Sequence, residues 1–224
     1  MRITISKENY LKAILEAEAE GEPVIGATLA RWLKVSSPAV TMAIRRLKQD
    51  GLLTVDPGGQ LHLTAAGREI ASRLLKRHQL IERMLTEVFG MEWYKVHDEA
   101  EHLEHAVSQD FERLLVRKLG QAACCPHGNQ LGPESHQDRR RRGWKPLAEA
   151  RPGEPGQVAS VFERDRQLLE YLDGLGMRPG AEIEVTARNA DETLSIQVGG
   201  NTVQLGQAAA RRIWMAPRDP AGRA

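Results

Sequence analysis

Histidines and carboxylates are concentrated in the nine residues from His97 to His105. This segment contains three histidines and four carboxylates. On an α-helix, which turns ~100° per residue, His97, Glu101, Glu104 and His105 fall within an arc of about 100°. Imidazole nitrogens and carboxylate oxygens on one helical face suit a divalent first-row metal. The segment therefore predicts a metal site, whereas His102 points away from the arc and is expected to be solvated.

A second pair of candidate ligands, His78 and Glu82, has the i, i+4 spacing of one helical face. This spacing alone is a weak signal, because an exposed charge pair explains most such cases. His97-Asp98 resembles the metal-binding dyad of phosphohydrolases, but the chain offers no clean set of further His and Asp ligands for one. Neither a His-Glu-x-x-His motif nor a glycine-rich phosphate loop occurs in the sequence. We therefore expect no enzymatic activity.

Bulk properties predict a globular protein of ordinary composition. The 224 residues include 41% hydrophobic and 27% charged residues, with a net charge of +1, which excludes a strongly basic protein that binds polyanions over its whole surface. No apolar run approaches the ~20 residues that span a bilayer, and the N-terminus lacks a signal-peptide core, so we expect a cytoplasmic protein. The adjacent cysteines Cys124 and Cys125 fit a reducing compartment better than a disulfide framework.

Residues 1–70 predict a winged helix-turn-helix domain, in the order helix, helix, helix and β-hairpin. We expect Ser6 to cap the first helix and Ser37 to cap the third, with Pro38 in the first turn of that helix. Two short strands on either side of the Asp-Pro-Gly-Gly turn at 56–59 would form the wing.

The third helix is the predicted DNA-reading element. From Arg31 to Asp50 the chain carries five basic residues and one acidic residue, which concentrates positive charge where a phosphate backbone would lie. The residues predicted to contact DNA are Ser36, Ser37, Pro38, Ala39, Thr41, Met42, Arg45 and Arg46. The alternative interpretation is a solvated helix face in a winged helix that binds protein.

Residues 71–128 are predicted to form a helical metal-binding and dimerisation domain. One long helix is expected to end at Gly90, and a second is expected to run continuously over 95–119. Their apolar faces exceed what a region of this size can bury alone, which favours a dimer interface. Residues 129–156 lose periodicity and predict a linker. Alternating apolar residues in 157–218 predict a small SH3-like β-barrel.

These features together resemble the diphtheria-toxin-repressor family of metal-dependent transcriptional regulators. The resemblance covers nearly the whole chain, and its motifs occur in the family's order and spacing. They are Glu8-x-Tyr10-Leu11, Ser37-Pro38, Arg77-His78 to Glu82, Val96 to His105, and Cys125-Pro126-His127-Gly128-Asn129. It implies a mainly α fold with an N-terminal winged helix-turn-helix, a helical dimerisation domain and a C-terminal SH3-like, or FeoA-like, β-barrel.

The resemblance also implies two metal sites in each subunit, one regulatory and one ancillary. The ligands that it implies for the regulatory site are Glu101, Glu104, His105 and, from the first helix, Asn9. The ligands that it implies for the ancillary site are His78, Glu82 and His97, with Cys125 and Asp165 as further candidates.

Three positions bear on the identity of the metal. Iron-responsive members of the family carry a cysteine at the position of Glu101, and members with glutamate there are usually manganese-responsive. Manganese-responsive members have aspartate at the position of Asn9 and a second carboxylate at the position of Lys12. Because Asn9 offers only a neutral carbonyl oxygen and a protonated Lys12 cannot ligate, the expected site is less anionic than the manganese pattern.

The resulting hypothesis is a homodimeric repressor of metal homeostasis that Mn(II) or Fe(II) activates, with Mn(II) favoured. Other divalent first-row metals are expected to substitute in vitro. The partner would be double-stranded DNA with a pseudo-palindromic operator, and no membrane partner is expected. Two alternatives stay open: a metal-independent winged-helix regulator that responds to an organic ligand, and a metal-dependent phosphohydrolase.

Overall fold

The computed structural model describes residues 3–120 and 123–218. Within these residues the chain forms two compact units. The first comprises residues 3–81, 101–120 and 131–136, and the second comprises residues 82–100, 123–130 and 137–218. No helix of the described residues has both the length and the apolar character needed to cross a bilayer.

The first unit begins with three helices and a two-stranded hairpin, which confirms the predicted order of elements. Their bounds are Ile5–Ala19 for α1, Gly26–Leu33 for α2, Ser37–Gln49 for α3, Leu53–Val55 for β1 and Leu61–Leu63 for β2. The two strands pair antiparallel. Apolar residues of all five elements, including Leu11, Leu29 and Leu47, share one buried core. One side of α3 therefore packs against this core, and the opposite side faces outward.

Two helix caps differ from the predictions. Thr4, not Ser6, caps α1, and Ser36, not Ser37, caps α3; each hydroxyl oxygen accepts a hydrogen bond from the backbone N–H three residues later, at 3.4 Å. The capping residue needs an extended backbone, which Thr4 and Ser36 have with ψ values of 152° and 150°. Ser6 and Ser37 instead lie inside the first turns of their helices.

The first helix that follows ends close to Gly90, as predicted, whereas the second predicted helix is divided in two. Their bounds are Ala65–Arg83 for α4, Met84–Val88 for a π-helical turn that extends α4, Val96–Leu103 for α5 and Gln109–Leu119 for α6. The prediction of one continuous helix in place of α5 and α6 was wrong. Ser108 caps α6, because its Oγ accepts a hydrogen bond from the N–H of Phe111 at 3.2 Å.

An antiparallel sheet dominates the second unit. The elements from α7 onward, in chain order, are α7 at His136–Arg141, β3 at Lys145–Pro146, a 3-10 turn at Leu147–Glu149, β4 at Glu154–Val161, α8 at Arg166–Gly174, β5 at Glu182–Arg188, β6 at Leu194–Val198, β7 at Asn201–Leu205, α9 at Gln207–Ala210 and β8 at Ile213–Pro217. The six strands have the order β3-β8-β4-β5-β6-β7. Their core includes Leu172 of α8 and Ile196 of β6.

Much of the predicted linker is regular structure. Residues 129–156 contain all of α7, β3 and the 3-10 turn, and the first three residues of β4. Four consecutive arginines at 139–142 lie in this segment, and the sequence favours a solvated charge run there. Arg140, Arg141 and Arg142 are exposed, as that interpretation expects. Arg139 differs: it is 3% exposed, and its guanidinium carbon lies 5.2 Å from the centre of the Trp214 ring. Pro146 pairs with Trp214 across β3 and β8. The regular structure of this segment is therefore stabilised by contacts with β8, a strand that lies far away in the sequence.

Candidate metal centres and nucleic-acid interface

Four side chains with metal-binding atoms meet inside the second unit. They are Glu82, near the end of α4, Cys125 and His127, from a turn before α7, and Glu163, two residues after β4. One ligand atom from each lies within 4.8 Å of the others, and all four side chains are buried. We call these four residues the cysteine cluster.

The turn that starts at Cys125 places two of these ligands. The N–H of Cys125 donates to the carbonyl of Asn129 at 2.8 Å, and the N–H of Gly128 donates to the carbonyl of Cys125 at 2.9 Å. The N–H of Val161 donates to the carbonyl of His127 at 3.0 Å, which joins the turn to the end of β4. Gly128 has a φ of +82°, and a Cβ there would lie 2.0 Å from a carbonyl oxygen of β4. The turn therefore requires glycine at this position.

His127 presents its Nδ1 atom to the cluster. Its Nε2 lies 2.9 Å from the carbonyl oxygen of Trp93, and since that oxygen can only accept, Nε2 carries a proton. Nδ1 lies 3.4 Å from Oε1 of Glu82 and 3.6 Å from Oε2 of Glu163. A neutral His127 held in this way directs the lone pair of Nδ1 toward the two carboxylates, as a metal ligand requires.

Cys125 and His97 border the same carboxylates. Sγ of Cys125 lies 3.7 Å from Oε2 of Glu163 and 3.9 Å from Nδ1 of His127. Nδ1 of His97, on α5, lies 3.2 Å from Oε1 of Glu82 and 3.9 Å from Oε1 of Glu163. The structure thus brings together Glu82, His97 and Cys125, three of the predicted ligands.

Two polar side chains hold Glu163 in position. Nδ2 of Asn129 donates to Oε2 of Glu163 at 2.6 Å, and Nη2 of Arg139 donates to Oδ1 of Asn129 at 3.2 Å. Both Asn129 and Arg139 are buried. Outer partners of this kind fix the orientation of a ligating carboxylate.

The charges inside the cysteine cluster depend strongly on one another. Burial acts to lower the pKa of His127, but the charge of Glu82 and hydrogen bonds to Cys125 and Glu163 raise this pKa well above its usual range. Burial and Glu82 act to raise the pKa of the Glu163 carboxyl, yet the hydrogen bond with His127 and the charges of His97 and His127 hold it at about 2. Burial and the charges of Glu82 and Glu163 raise the pKa of the Cys125 thiol. A protonated His127 is therefore the cation that balances these carboxylates.

The donor set of the cysteine cluster fits a divalent first-row metal. It combines one sulfur, one imidazole nitrogen and carboxylate oxygens, with a second imidazole nearby. Imidazole suits iron and zinc, carboxylate suits manganese, and a thiolate strengthens binding of the softer ions. Ligand atoms no more than 4.8 Å apart can each approach a common ion to the usual ~2.0–2.3 Å.

In the first unit, the predicted regulatory ligands surround an ammonium group. Lys12, on α1 and 2% exposed, donates to both carboxylate oxygens of Glu104, at 2.8 and 2.7 Å. Its Nζ lies 3.3 Å from Nδ1 of His78 and 3.8 Å from Oε1 of Glu101. Nδ1 of His78 also lies 2.7 Å from Oε2 of Glu104. We call Lys12, His78, Glu101 and Glu104 the lysine cluster.

His105 lies beside the lysine cluster and contacts α1. Its Nε2 lies 2.7 Å from Oδ1 of Asn9 and 3.4 Å from Oε1 of Glu104, and its Nδ1 lies 3.0 Å from Oε2 of Glu8. The structure therefore brings Asn9 and His105 together, and both ring nitrogens of His105 have oxygen neighbours.

The buried charges of the lysine cluster stabilise each other. Burial acts to lower the pKa of Lys12, but the charges of Glu16, Glu104 and Glu101 outweigh it and the pKa is raised. Burial acts to raise the pKa of the Glu104 carboxyl, but the hydrogen bond with His78 and the charge of Lys12 hold it at about 2. Lys12 and Glu104 therefore form a buried ion pair near neutral pH.

The structure places one candidate ligand elsewhere and adds two residues. Oδ1 of Asp165 accepts a hydrogen bond from the N–H of Leu168 at 3.0 Å, and Oδ2 pairs with Arg212 at 2.6 Å, so Asp165 caps α8 instead of joining the cysteine cluster. Glu163, two residues earlier, supplies the carboxylate. His127 was also absent from the predicted ligands, although its Cys-x-His-Gly context was a usable signal.

The predicted DNA-contacting residues lie on one exposed region of the first unit. Val40 and Leu47 of α3 are buried, whereas the side of the helix away from the core is open. The exposed residues are Ser36, Ser37, Pro38, Ala39, Thr41, Met42, Arg45 and Arg46. Their exposure leaves the N-terminal face of α3 free to approach a groove of DNA.

Three family models match successive parts of the chain. Residues 2–61 match the iron dependent repressor N-terminal DNA binding domain, and residues 64–131 match the iron dependent repressor metal binding and dimerisation domain. Residues 145–217 match the FeoA domain.

Similar proteins of known sequence cover almost the same length. The diphtheria toxin repressor of Corynebacterium jeikeium is 33% identical over 225 residues, which span 90% of this chain and 94% of that protein. The iron-dependent repressor IdeR of Mycobacterium leprae is 31% identical, over 92% of this chain and 94% of that protein.

Solved structures of similar fold are also metal-dependent regulators. A manganese-dependent transcriptional repressor in complex with manganese aligns with a TM-score of 0.84 and 33% identity, over 95% of this chain and all of that one (100%). The manganese regulator SloR aligns with a TM-score of 0.80 and 27% identity, over 95% of this chain and 98% of that one. The chain therefore belongs to the diphtheria toxin repressor family of metal-dependent, DNA-binding transcriptional repressors.

Proposed function

We propose that this chain is a cytoplasmic, homodimeric repressor of metal-homeostasis genes, which binds its operator when the cysteine cluster holds a divalent metal. The buried cysteine cluster, in a chain that also exposes the recognition face of α3, is the observation that carries the proposal. Mn(II) is the first candidate and Fe(II) the second, because the relatives include a repressor in complex with manganese and iron-dependent repressors.

The metal would be held by Glu82, Cys125, His127 and Glu163, with His97 beside them. It would supply the positive charge that a protonated His127 otherwise provides to the two carboxylates. Cys125 and His127 have to lose their protons before they can ligate, so metal binding releases protons and weakens as the pH falls. Asn129, whose Nδ2 donates to Oε2 of Glu163 at 2.6 Å, would orient this carboxylate for the metal.

Metal binding would control DNA binding through linkage. A metal that binds one conformation of the protein more tightly than others raises the population of that conformation. If only part of the molecules are in the conformation that binds DNA, the apparent affinity for DNA is lower by that fraction. The metal would raise this fraction and so raise the apparent affinity for DNA. Metal excess would thus increase occupancy of the operator and repress transcription.

The face of α3 would read DNA. Small hydroxyl and methyl groups at the start of α3 suit contacts with thymine methyls and phosphates in the major groove. Arg45 and Arg46 are exposed on the same helix and would neutralise phosphates. In a dimer, two copies of α3 would engage half-sites ~34–36 Å apart, or a multiple of that, on a pseudo-palindromic operator.

The helix α6 supports a homodimer. Its side chains Phe111, Leu114 and Val116 are 41%, 50% and 47% exposed within one chain. Large apolar side chains grouped on one short helix are typical of a protein interface. Residues 71–128 are accordingly the proposed metal-binding and dimerisation region, between the DNA-binding domain at 1–70 and the small β domain at 157–218.

Selection of DNA ligands tests the proposal without a known operator. Random duplexes would be selected with the wild-type protein in the presence of Mn(II), and binding to the enriched duplex would then be measured by fluorescence anisotropy. We expect tight binding with Mn(II) or Fe(II) and at least tenfold weaker binding with a chelator. Equal affinity under both conditions would favour the metal-independent regulator and contradict the proposal.

A variant pair assigns the effect to the cysteine cluster. Glu163→Gln removes one ligating charge and should abolish the metal-dependent gain in DNA affinity. Glu170→Gln is the matched control, because Glu170 is exposed on the nearby helix α8 and should leave the gain unchanged. A full metal response in Glu163→Gln would remove this cluster from the mechanism.

A further inference from the structure

The lysine cluster has the geometry of a cation site whose cation is part of the chain. Four donor atoms surround Nζ of Lys12: both carboxylate oxygens of Glu104 at 2.7 and 2.8 Å, Nδ1 of His78 at 3.3 Å and Oε1 of Glu101 at 3.8 Å. These are carboxylate and imidazole atoms, the donors that divalent first-row metals use. The position to which they converge is taken by the ammonium group.

A metal ion and this ammonium would need the same atoms. The ammonium already engages both oxygens of Glu104, and a metal would have to approach those oxygens to ~2.0–2.2 Å. Two cations that close would repel strongly in a buried site, where screening by water is weak. Occupation by the ammonium and occupation by a metal are therefore mutually exclusive while Lys12 keeps its position.

Lys12 is firmly held in its charged form. It is 2% exposed, so its ammonium is buried among the side chains around it. Its Nζ donates to both oxygens of Glu104, and Oε1 of Glu101 lies 3.8 Å away, so buried carboxylate oxygens stabilise the ammonium where it lies. The ring nitrogens of the neighbouring His105 lie 2.7 Å from Oδ1 of Asn9 and 3.0 Å from Oε2 of Glu8.

We infer that Lys12 replaces the regulatory metal ion in this chain, so that each subunit responds to a single metal ion, held by the cysteine cluster. The replacement of the ion follows from the geometry of the lysine cluster alone, whereas the assignment of the response to the cysteine cluster rests on the proposed function. The residues that resemble the regulatory ligands of the family then serve as a permanent ionic link between α1 and the segment after α5. Their donor set does not fit a metal while Lys12 is present.

Counting bound metal tests this inference. Wild-type protein and Lys12→Ala would be dialysed to equilibrium against saturating Mn(II), and bound manganese would be measured by elemental analysis. We expect one ion per wild-type chain and one additional ion in Lys12→Ala, because this substitution removes the cation that now occupies the position between Glu101, Glu104 and His78. Lys76→Ala, on the exposed side of α4, is the matched control and should bind as many ions as the wild type.

Two further variants separate the lysine cluster from the cysteine cluster. Glu104→Gln should leave the wild-type stoichiometry unchanged, and Glu163→Gln should reduce it. Two ions in the wild type, one of which is lost in Glu104→Gln, would overturn the inference, and so would an equal count in the wild type and a folded Lys12→Ala. If Lys12→Ala does not fold, the wild-type and Glu104→Gln counts still decide.

The same measurements distinguish a failure of the proposed function. A wild type that binds no metal, together with Lys12→Ala that binds one ion, would retain the role of Lys12 and reject the cysteine cluster as the metal site. Metal binding at the cysteine cluster without any change in DNA affinity would likewise reject the proposed function, and the replacement of the regulatory ion by Lys12 would still stand.

Discussion

Neutralising Glu104 tests how much stability the buried Lys12–Glu104 pair contributes. The Glu104 side chain is 1% exposed, and both of its oxygens accept hydrogen bonds from Lys12. Burial alone acts to raise the pKa of this carboxyl above its ordinary value of 4.5, but His78 and Lys12 outweigh burial and hold it at about 2.

The depressed pKa sets the magnitude and the direction of the pH effect. A carboxyl whose pKa is lower in the folded than in the unfolded state stabilises the folded state at pH values above its ordinary pKa. The interval from 4.5 to about 2 corresponds to about 3 kcal/mol in the free energy of unfolding. This contribution is complete above about pH 5 and is lost as the pH falls through 4.5 toward 2.

We expect Glu104→Gln to lower the free energy of unfolding by about 3 kcal/mol at pH 7, measured by urea denaturation with a chelator present. The difference from the wild type should narrow steadily as the pH is lowered from 5 toward 3. Glu69→Gln, an exposed site on α4, is the control and should change stability little. A difference in the free energy of unfolding that stays constant across this pH range would refute the ion-pair explanation, and so would the absence of a difference at pH 7.

Three further predictions concern the turn, its support and the DNA face. Gly128→Ala should destabilise the protein by at least ~1–3 kcal/mol in thermal or urea unfolding, because φ is +82° and the new Cβ would meet a carbonyl oxygen at 2.0 Å; wild-type stability would contradict the close approach. Asn129→Ala should weaken metal binding by roughly 10–100-fold in calorimetry, since it frees Glu163; unchanged affinity would show that this support is dispensable. Arg45→Ala or Arg46→Ala should weaken binding to all duplexes and lower the salt slope by about 1, and an unchanged slope would place that arginine outside the footprint.

Most of the first unit could be predicted from the sequence, because its signals are local. The periodicity of Val40 and Leu47 identified the buried face of α3, and the Pro-Gly turn identified the wing. The caps were misplaced because Thr4 and Ser36 compete with hydroxyl residues one or two positions later, and only the backbone conformation decides between them. Apolar spacing that continues past Ser108 concealed the break between α5 and α6.

The candidate sites were only partly predictable, because they depend on contacts between distant segments. Helical spacing over 97–105 pointed to His97, Glu101, Glu104 and His105 as potential ligands, but α5 ends at Leu103, so Glu104 and His105 lie in the turn that follows it. Glu163 had no local signal, since the pairing of Val161 with the turn at Cys125 brings it into place. The sequence indicated that Lys12 cannot ligate a metal, but only the structure places its ammonium between His78 and Glu104. Lys12, which stands where manganese-responsive members of the family have a carboxylate, therefore forms an ion pair with Glu104 that only the tertiary structure reveals.

The coupling between metal and DNA is the most direct test of the account. Mn(II) would be titrated into the wild-type protein by calorimetry, with and without the selected operator duplex. Because linkage is reciprocal, the operator should tighten Mn(II) binding by the same factor by which Mn(II) tightens operator binding. We predict a factor of at least ten, lost in Glu163→Gln. An Mn(II) affinity that the operator does not change would contradict the central claim that the cysteine cluster controls DNA binding.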